Sequence, residues 1–395
     1  MARFCVSAYI MSHRSAAFGL LMGLAACVPG GESVTGAACQ RGGSGTAFRP
    51  GAVTVAAVGD VLMHVFLQQD AAQQPDGFAT QLAPMAPFLR MADVTVANLE
   101  GPAARNLLVS GGERVLPPEL IHDGAVYSGF PTFNFHPSLI TDLGDAGVDV
   151  LQTANNHAMD RGPLGVERTL EAIDAAGLAH TGTRARGDAG PWHAVVAAGG
   201  HRIAFLACSY STNGRADPGG QVLLCYRDEA EVLATIRALR ADPQIDATIL
   251  LPHWGQEDME SPDANQRRLA QAALEAGAAA VIGTHPHVLQ PIETLTTSDG
   301  RRGVVAYSLG NFISSQWRTN QRSSVVLYLD LLPGPNGLEA APPAWLPTRV
   351  TRYVNGVVVQ PAEQAAHGER TITHVETILG REGMLSVADL GGGCR

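Results

Sequence analysis

The stretch Val148-Asp149-Val150-Leu151-Gln152-Thr153-Ala154-Asn155-Asn156-His157-Ala158-Met159-Asp160 runs from a β-branched segment into a cluster of polar side chains. A helical pattern, Gly165–Ala176, follows and is closed by Gly177. Val148–Leu151 reads as a strand buried on both faces, as short, mostly apolar runs do. Comparable runs lie on either side of it, at Val53–Val58, Val94–Ala97, Ile203–Ala207, Ala247–Leu251, Ala280–Ile282 and Val304–Tyr307. Further helical patterns occupy Glu229–Arg240 and Pro262–Ala276, the latter with Ser261 as expected N-cap, Pro262 in the first turn and Gly277 just past the end. Strands alternating with helices predict an α/β fold with a large, mostly buried sheet. Beyond Asp330 the pattern changes. Trp345–Tyr353 with Gly356–Gln360 predicts a hairpin and Thr371–Leu379 a short helix, so a main domain over 51–330 is expected to carry a small C-terminal extension over 331–395.

The residues directly after the strands carry the chemistry. The first run ends in Gly59-Asp60, the second in Asn98-Leu99-Glu100, and the third in Asn155-Asn156-His157 with Asp160 close behind. The fifth gives His253-Trp254-Gly255, the sixth His285-Pro286-His287, and the seventh Ser308-Leu309-Gly310-Asn311. In open α/β sheets the loops beyond the carboxyl ends of the strands form the ligand crevice. Taken singly, each residue has a bland explanation: Asp60 as a helix cap, Asn155 and Asn156 in a turn, His253 as a hydrogen-bonded core residue. Six strand ends carrying such residues together favour one site. Its inventory of imidazole, carboxamide and carboxylate suits a divalent metal such as zinc, iron or manganese. The lack of cysteine in the set argues against a closed structural zinc site. His64, four residues after Asp60, could face the same cleft.

Composition narrows the alternatives. The 395-residue chain has 27 basic side chains, all arginine, and 37 acidic ones, for a net charge of −10. Without lysine there is no P-loop lysine, no protein-kinase lysine and no amine for a Schiff base. The acidic balance argues against a nucleic-acid partner, which calls for a basic face. With 46% apolar and only 16% charged residues, the chain can bury a large core.

The first 26 residues read as a signal peptide. Arg3 and Arg14 precede the apolar run Ala16–Ala26, which is shorter than the roughly 20 residues needed to span a bilayer. Met11 is an alternative start. Leu24-Ala25-Ala26-Cys27 reads as a lipobox, making Cys27 the expected site of lipid attachment, with the protein exported and facing the periplasm or cell exterior. Residues 27–50, rich in Gly, Ala and Ser, read as a flexible tether. In an oxidising compartment the even set Cys39, Cys208, Cys225 and Cys394 is expected to pair, with Cys208–Cys225 and Cys39–Cys394 the favoured connectivity.

Val58-Gly59-Asp60, Ala97-Asn98-Leu99-Glu100, Ala154–Asp160, His253-Trp254-Gly255-Gln256-Glu257, Gly283-Thr284-His285-Pro286-His287-Val288 and Tyr307-Ser308-Leu309-Gly310-Asn311-Phe312 occur in an order that resembles the signature blocks of the CapA family. These are bacterial capsule-synthesis proteins tied to poly-γ-glutamate, and the resemblance covers Val53 to Val326. It implies a calcineurin-like metallophosphoesterase fold, an αββα sandwich of two face-to-face sheets with helices outside. It also implies a ligand set of Asp60, Glu100, Asn156, His253, His285 and His287 for one or two divalent ions (Mn, Zn or Fe), with Glu100 where a bridging aspartate would stand. The histidine usual two residues after the first aspartate is Leu62 here. His157 is implied as general acid or transition-state donor. Asp160 and Asn311 join it as catalytic candidates, and Asn98, Trp254, Glu257 and Arg161 are candidates to contact substrate.

Three functions fit this reading. The first is a metal-dependent hydrolase or transferase acting at the cell surface on an anionic polymer or its precursor, with Arg105, Arg161, Arg184 and Arg186 available to bind carboxylate or phosphate. The second is a non-catalytic accessory subunit of a polymer synthase and export complex. The third is a metal-free acid/base enzyme such as a peptide epimerase, with His157, Asp60 and His285 moving protons. The segment Arg105–Phe130, with its Gly and Pro, is expected to be a loop facing substrate.

Overall fold

The computed structural model describes residues 48–391 apart from 335–336 and 355. The expected signal peptide, Cys27, all but the last residues of the tether, and the Cys39–Cys394 pair lie outside the described residues.

Along the chain, β1 (Val53–Val61) leads through the short helices α1 (Val65–Ala71), α2 (Phe78–Leu82) and α3 (Ala86–Leu89) to β2 (Val94–Leu99). Helix α4 (Ser138–Ala146) precedes β3 (Val150–Gln152), and α5 (Gly162–Ala175) precedes β4 (Ala179–Thr181). Strands β5 (His193–Ala198) and β6 (His201–Ser209) form a hairpin. Then α6 (Glu229–Ala241), β7 (Ala247–His253), α7 (Ala264–Ala276) and β8 (Ala280–Ile282) alternate, followed by a second hairpin of β9 (Leu289–Thr296) and β10 (Arg302–Leu309). The chain ends with β11 (Asn311–Ile313), β12 (Ser323–Gly334), β13 (Gly337–Ala340), β14 (Ala344–Tyr353), β15 (Gly356–Pro361) and α8 (Gly368–Leu379).

These strands form two sheets among the described residues, one in the order β15-β14-β12-β1-β2-β3-β4 with β11 and β13 at its side, the other β5-β6-β7-β8-β10-β9. Both are parallel at the centre: β1 to β4 in the first, and β6, β7, β8 and β10 in the second. Alternation along β6 shows how the layers stack. Ile203, Phe205 and Ala207 join Val55 and Ala57 of β1 in the core between the sheets. Leu206 and Cys208, facing the other way, pack with Val232 and Ile236 of α6 and Leu269 and Ala273 of α7. On the first sheet, α3 is tied to β2 and β12 where Thr95 and Tyr328 hydroxyls donate to the Leu89 and Phe88 carbonyls. This is the αββα arrangement that the resemblance implies.

Two local expectations change. Helix α7 begins at Ala264, not Pro262, because Asp263 is the better cap. Its carboxylate accepts from the Asn265 and Gln266 N–H groups while the Gln266 side chain accepts from the Asp263 N–H, a capping box that Ser261 does not form. The expected boundary near residue 330 falls inside β12, and the predicted hairpin is β14–β15, hydrogen-bonded through β12 into the same sheet as β1. The segment 105–130 has no helix or strand, as expected. No helix of the described residues is long and apolar enough to cross a membrane.

Cys208 and Cys225 are bonded, linking the end of β6 to the segment before α6 across 17 residues. Replacing both with alanine is expected to cost about 3 kcal/mol, the loop-closure value for a bridge of this span. A fall in the unfolding free energy of that size in denaturant titrations, reproduced by reducing the wild type, checks it.

Candidate metal centre

Both sheets point the carboxyl ends of their parallel strands to the same edge, and two glycines let those ends close on one another. A Cβ on Gly59 would lie 1.8 Å from the Gly310 carbonyl oxygen, and one on Gly283 would lie 2.2 Å from that of Tyr307. No larger residue fits either position. In the loop between β8 and β9, His285 and His287 hold φ angles of 97° and 60°, a left-handed conformation that L side chains rarely adopt. Asp60 and Asn311 hold them there. Asp60 Oδ1 accepts from the His285 N–H at 3.4 Å, Asp60 Oδ2 lies 3.0 Å from His287 Nδ1, and Asn311 Nδ2 donates to the His287 carbonyl at 3.1 Å.

Around these histidines the predicted ligands converge. His253 Nε2, at the end of β7, faces Asn156 Oδ1 at 2.9 Å and Glu100 Oε1 at 3.4 Å. His287 Nε2 lies 3.7 Å from Glu100 Oε1. Ligand atoms of Glu100, His285 and His287 all come within 4.8 Å of one another, and all three residues are buried. Both carboxylate oxygens of Glu100 and the Nδ1 of His285 have no hydrogen-bond partner. A buried carboxylate left without a donor is costly, and a cation among these lone pairs would satisfy it. The donor set therefore fits a divalent metal of the borderline kind.

The electrostatics follow from burial and crowding. Burial pushes the Glu100 carboxyl well above its usual range, and the nearby charges of Asp60 and Glu257 add to that. Asp60 is buried too, but its hydrogen bond and ion pair with His287 outweigh desolvation and hold it low. The same contact raises His287 against the pull of burial. Burial lowers His253 to about 3 and pushes His285 well down, keeping their imidazoles neutral, the form that ligates metal.

His157 supplies no ligand atom to this group, though it lies within electrostatic range of His253 and His285. Its Nδ1 lies 2.8 Å from Asp160 Oδ2, and its ring meets Phe133 edge-on at 4.7 Å. Asp160 is buried, also accepts from the Phe133 N–H at 2.7 Å, and pairs with Arg215 at 3.1 Å. Held on three sides, Asp160 fixes the His157 ring and leaves its Nε2 for other contacts. His64 also faces this region, with its ring edge-on to Phe133 at 5.4 Å. Leu62 is buried and carries no ligand atom.

Other candidates are placed differently. Asn98 donates to Asp60 Oδ1 at 2.8 Å and accepts from Asn155 at 3.2 Å, so it braces ligands from within the core. Trp254 is fully buried and donates to the Tyr307 carbonyl at 2.9 Å. Arg161 is buried, and its guanidinium is taken up by the carbonyls of Leu107, Thr132, Asp160 and Val126 and the Ser128 hydroxyl. It fastens the 105–130 segment to the start of α5. In this structure neither Trp254 nor Arg161 offers a group to a substrate, whereas Glu257 is exposed and within electrostatic range of Glu100 and His287. Of the other arginines, Arg184 lies over Trp192 and Arg186 pairs with Glu167. Tyr210 was not among the predicted residues. It follows β6 directly, with its ring 4.5 Å from that of His285, and reading the fourth strand end as the other six were read would have found it.

A family model described as "Bacterial capsule synthesis protein PGA_cap" matches residues 54–316. The chain is 28% identical over 289 residues to the PGA biosynthesis protein CapA of Bacillus subtilis (strain 168), covering 69% of this chain and 66% of that protein. It is 27% identical over 297 residues to the capsule biosynthesis protein CapA of Bacillus anthracis, covering 70% and 63%. It thus spans just under two thirds of the length of these relatives. Among solved structures, the calcineurin-like phosphoesterase YfkN from Bacillus subtilis is similar at a TM-score of 0.45 and 14% identity, over 83% of this chain and 96% of that one. The matched span takes in every strand-end block that meets at the cluster around Glu100, and the chain belongs to the bacterial capsule synthesis protein family.

Proposed function

We propose that this is an exported, lipid-anchored protein of capsule or poly-γ-glutamate-type polymer biosynthesis, working at the cell surface beside polymer synthase and export subunits as a metal-dependent hydrolase or transferase on the anionic polymer or its precursor. The names of its CapA relatives support the biological setting. One observation carries the chemistry: the buried Glu100 carboxylate has no donor of its own, yet lies among the imidazoles of His253, His285 and His287. Asp60, Glu100, Asn156, His253, His285 and His287 would hold one or two ions of manganese, zinc or iron. A divalent ion there supplies hydroxide at neutral pH and a clamp on developing oxyanion charge. His157, oriented by Asp160, donates a proton or hydrogen bond to the leaving group or oxyanion. The Asn98 and Asn311 amides hold the geometry, and Tyr210 and Phe133 shield the centre from water.

Metal analysis of the purified full chain tests the chemistry. One or two divalent ions per chain are expected, with turnover of a nitrophenyl phosphodiester abolished by chelation and restored by metal. Protein that holds no metal and is indifferent to chelators would overturn the reading. For the anchor, Cys27→Ser is expected to move the protein out of the membrane fraction or leave it unprocessed. Wild-type protein free of lipid at its N-terminus would refute that part.

A further inference from the structure

The C-terminal hairpin brings an arginine near the site, within electrostatic range of His64. Arg352, at the end of β14, lies with its guanidinium carbon 3.6 Å from the ring centre of Trp317 and 4.1 Å from that of Phe66. These aromatics are themselves open to solvent, Trp317 at 66% and Phe66 at 42%. Rings stacked on a guanidinium cover its faces and leave its in-plane N–H donors at the edge. Of those donors, Nη2 makes only a long contact to the Ser315 carbonyl at 3.4 Å, and among the described residues no acidic side chain pairs with Arg352. Its position relative to the site is set by a short relay. The Ser315 N–H reaches His64 Nδ1 at 3.5 Å, His64 meets Phe133, and Phe133 meets His157.

We propose that Arg352, presented by Trp317 and Phe66, docks the carboxylate groups of a polymer chain whose aliphatic spacers lie on the exposed rings. The inference rests on the reading above that an anionic polymer is the substrate, and it names the group recognised. A guanidinium edge binds carboxylate or phosphate through two parallel hydrogen bonds. The apolar surface next to it favours a chain with methylenes between its charges over one that is phosphate throughout. Arg352 and Trp317 lie beyond the matched span 54–316, and Phe66 lies within it.

Binding can be read without turnover or metal, as quenching of tryptophan emission when a poly-γ-glutamate oligomer is added to the full chain in EDTA. Trp192, Trp254 and Trp345 are at most 7% exposed, so the change reports Trp317. Saturable quenching is expected in the wild type, with Arg352→Gln binding about 10- to 100-fold more weakly, the worth of a charge-assisted pair. Arg352→Lys, which keeps the charge and loses the fork, should fall between them. Calorimetry with Trp317→Ala should also show weaker binding. Unchanged affinity in Arg352→Gln, no saturable binding by the wild type, tighter binding of polyphosphate, or quenching by anionic lipid vesicles instead of polymer would each overturn the proposal. If the chain holds no metal yet binds the oligomer through Arg352, the hydrolase reading fails and this one stands.

Discussion

His285→Ala and His253→Ala are expected to lose bound metal and turnover together, whereas His157→Ala should keep its metal and lose about 10²–10⁴-fold in rate, the usual worth of a positioned proton donor. The separation follows from where the rings sit. His285 shares a buried cluster with Glu100 and His287, all with ligand atoms inside 4.8 Å, and His253 Nε2 lies 3.4 Å from Glu100 Oε1. His157 has its Nδ1 on Asp160 and its ring against Phe133, and no ligand atom of it lies in the Glu100 cluster. Metal content and nitrophenyl phosphodiester turnover of the three variants, measured side by side, check the division. Metal loss in His157→Ala would make it a ligand. Full metal occupancy and activity in His285→Ala would remove the centre from the reaction.

Glu100→Gln should uncouple stability from metal. In the wild type, an ion that binds only the folded chain adds about 2.7 kcal/mol at a hundredfold excess over Kd, so manganese or zinc should raise the melting temperature. Glu100→Gln should show little of that rise. Without metal the same variant is expected to be at least as stable as the wild type, because it removes a buried carboxylate that has no donor and faces Asp60. The pH dependence has a definite sign. Folding raises the Glu100 pKa, so its contribution is most favourable below the ordinary carboxylate range and is lost as pH rises from there toward the raised value. Metal-free wild type should therefore lose stability over that window, and Glu100→Gln should lack this part of the slope. Thermal melts of both proteins at several pH values, with EDTA and with metal, decide it. Equal metal-induced shifts in the two would show that Glu100 is not a ligand.

The gathering of the strand-end residues at one edge was legible where one local rule was enough. Asp60, Glu100, Asn156, His253, His285 and His287 each follow a run too apolar to be anything but buried, and parallel strands deliver their carboxyl ends to one edge. Tyr210 was equally legible, since it follows β6 in the same way. Cysteine number and compartment predicted pairing but allowed three connectivities, and the structure gives the favoured local one, Cys208–Cys225. Trp254 and Arg161, expected at the substrate, were misplaced for a shared reason. Residue type and nearness to a motif say nothing about direction, and one side chain found the Tyr307 carbonyl while the other found the carbonyls of Leu107, Val126, Thr132 and Asp160.

Periodicity, punctuation by glycine and the strand-end residues thus determined by themselves the alternating architecture, the set of polar strand-end residues and the edge of the sheets where it gathers. These are local properties, set by burial along a few consecutive residues. The tertiary structure alone decided that the C-terminal hairpin continues the first sheet, that Glu100 has no donor while Asp60 has several, and that Arg352 stacks on both Trp317 and the sequence-distant Phe66. Each depends on which distant segments fill the space around a side chain, and in water-poor surroundings that neighbourhood sets the cost of a charge more than the residue's own identity does.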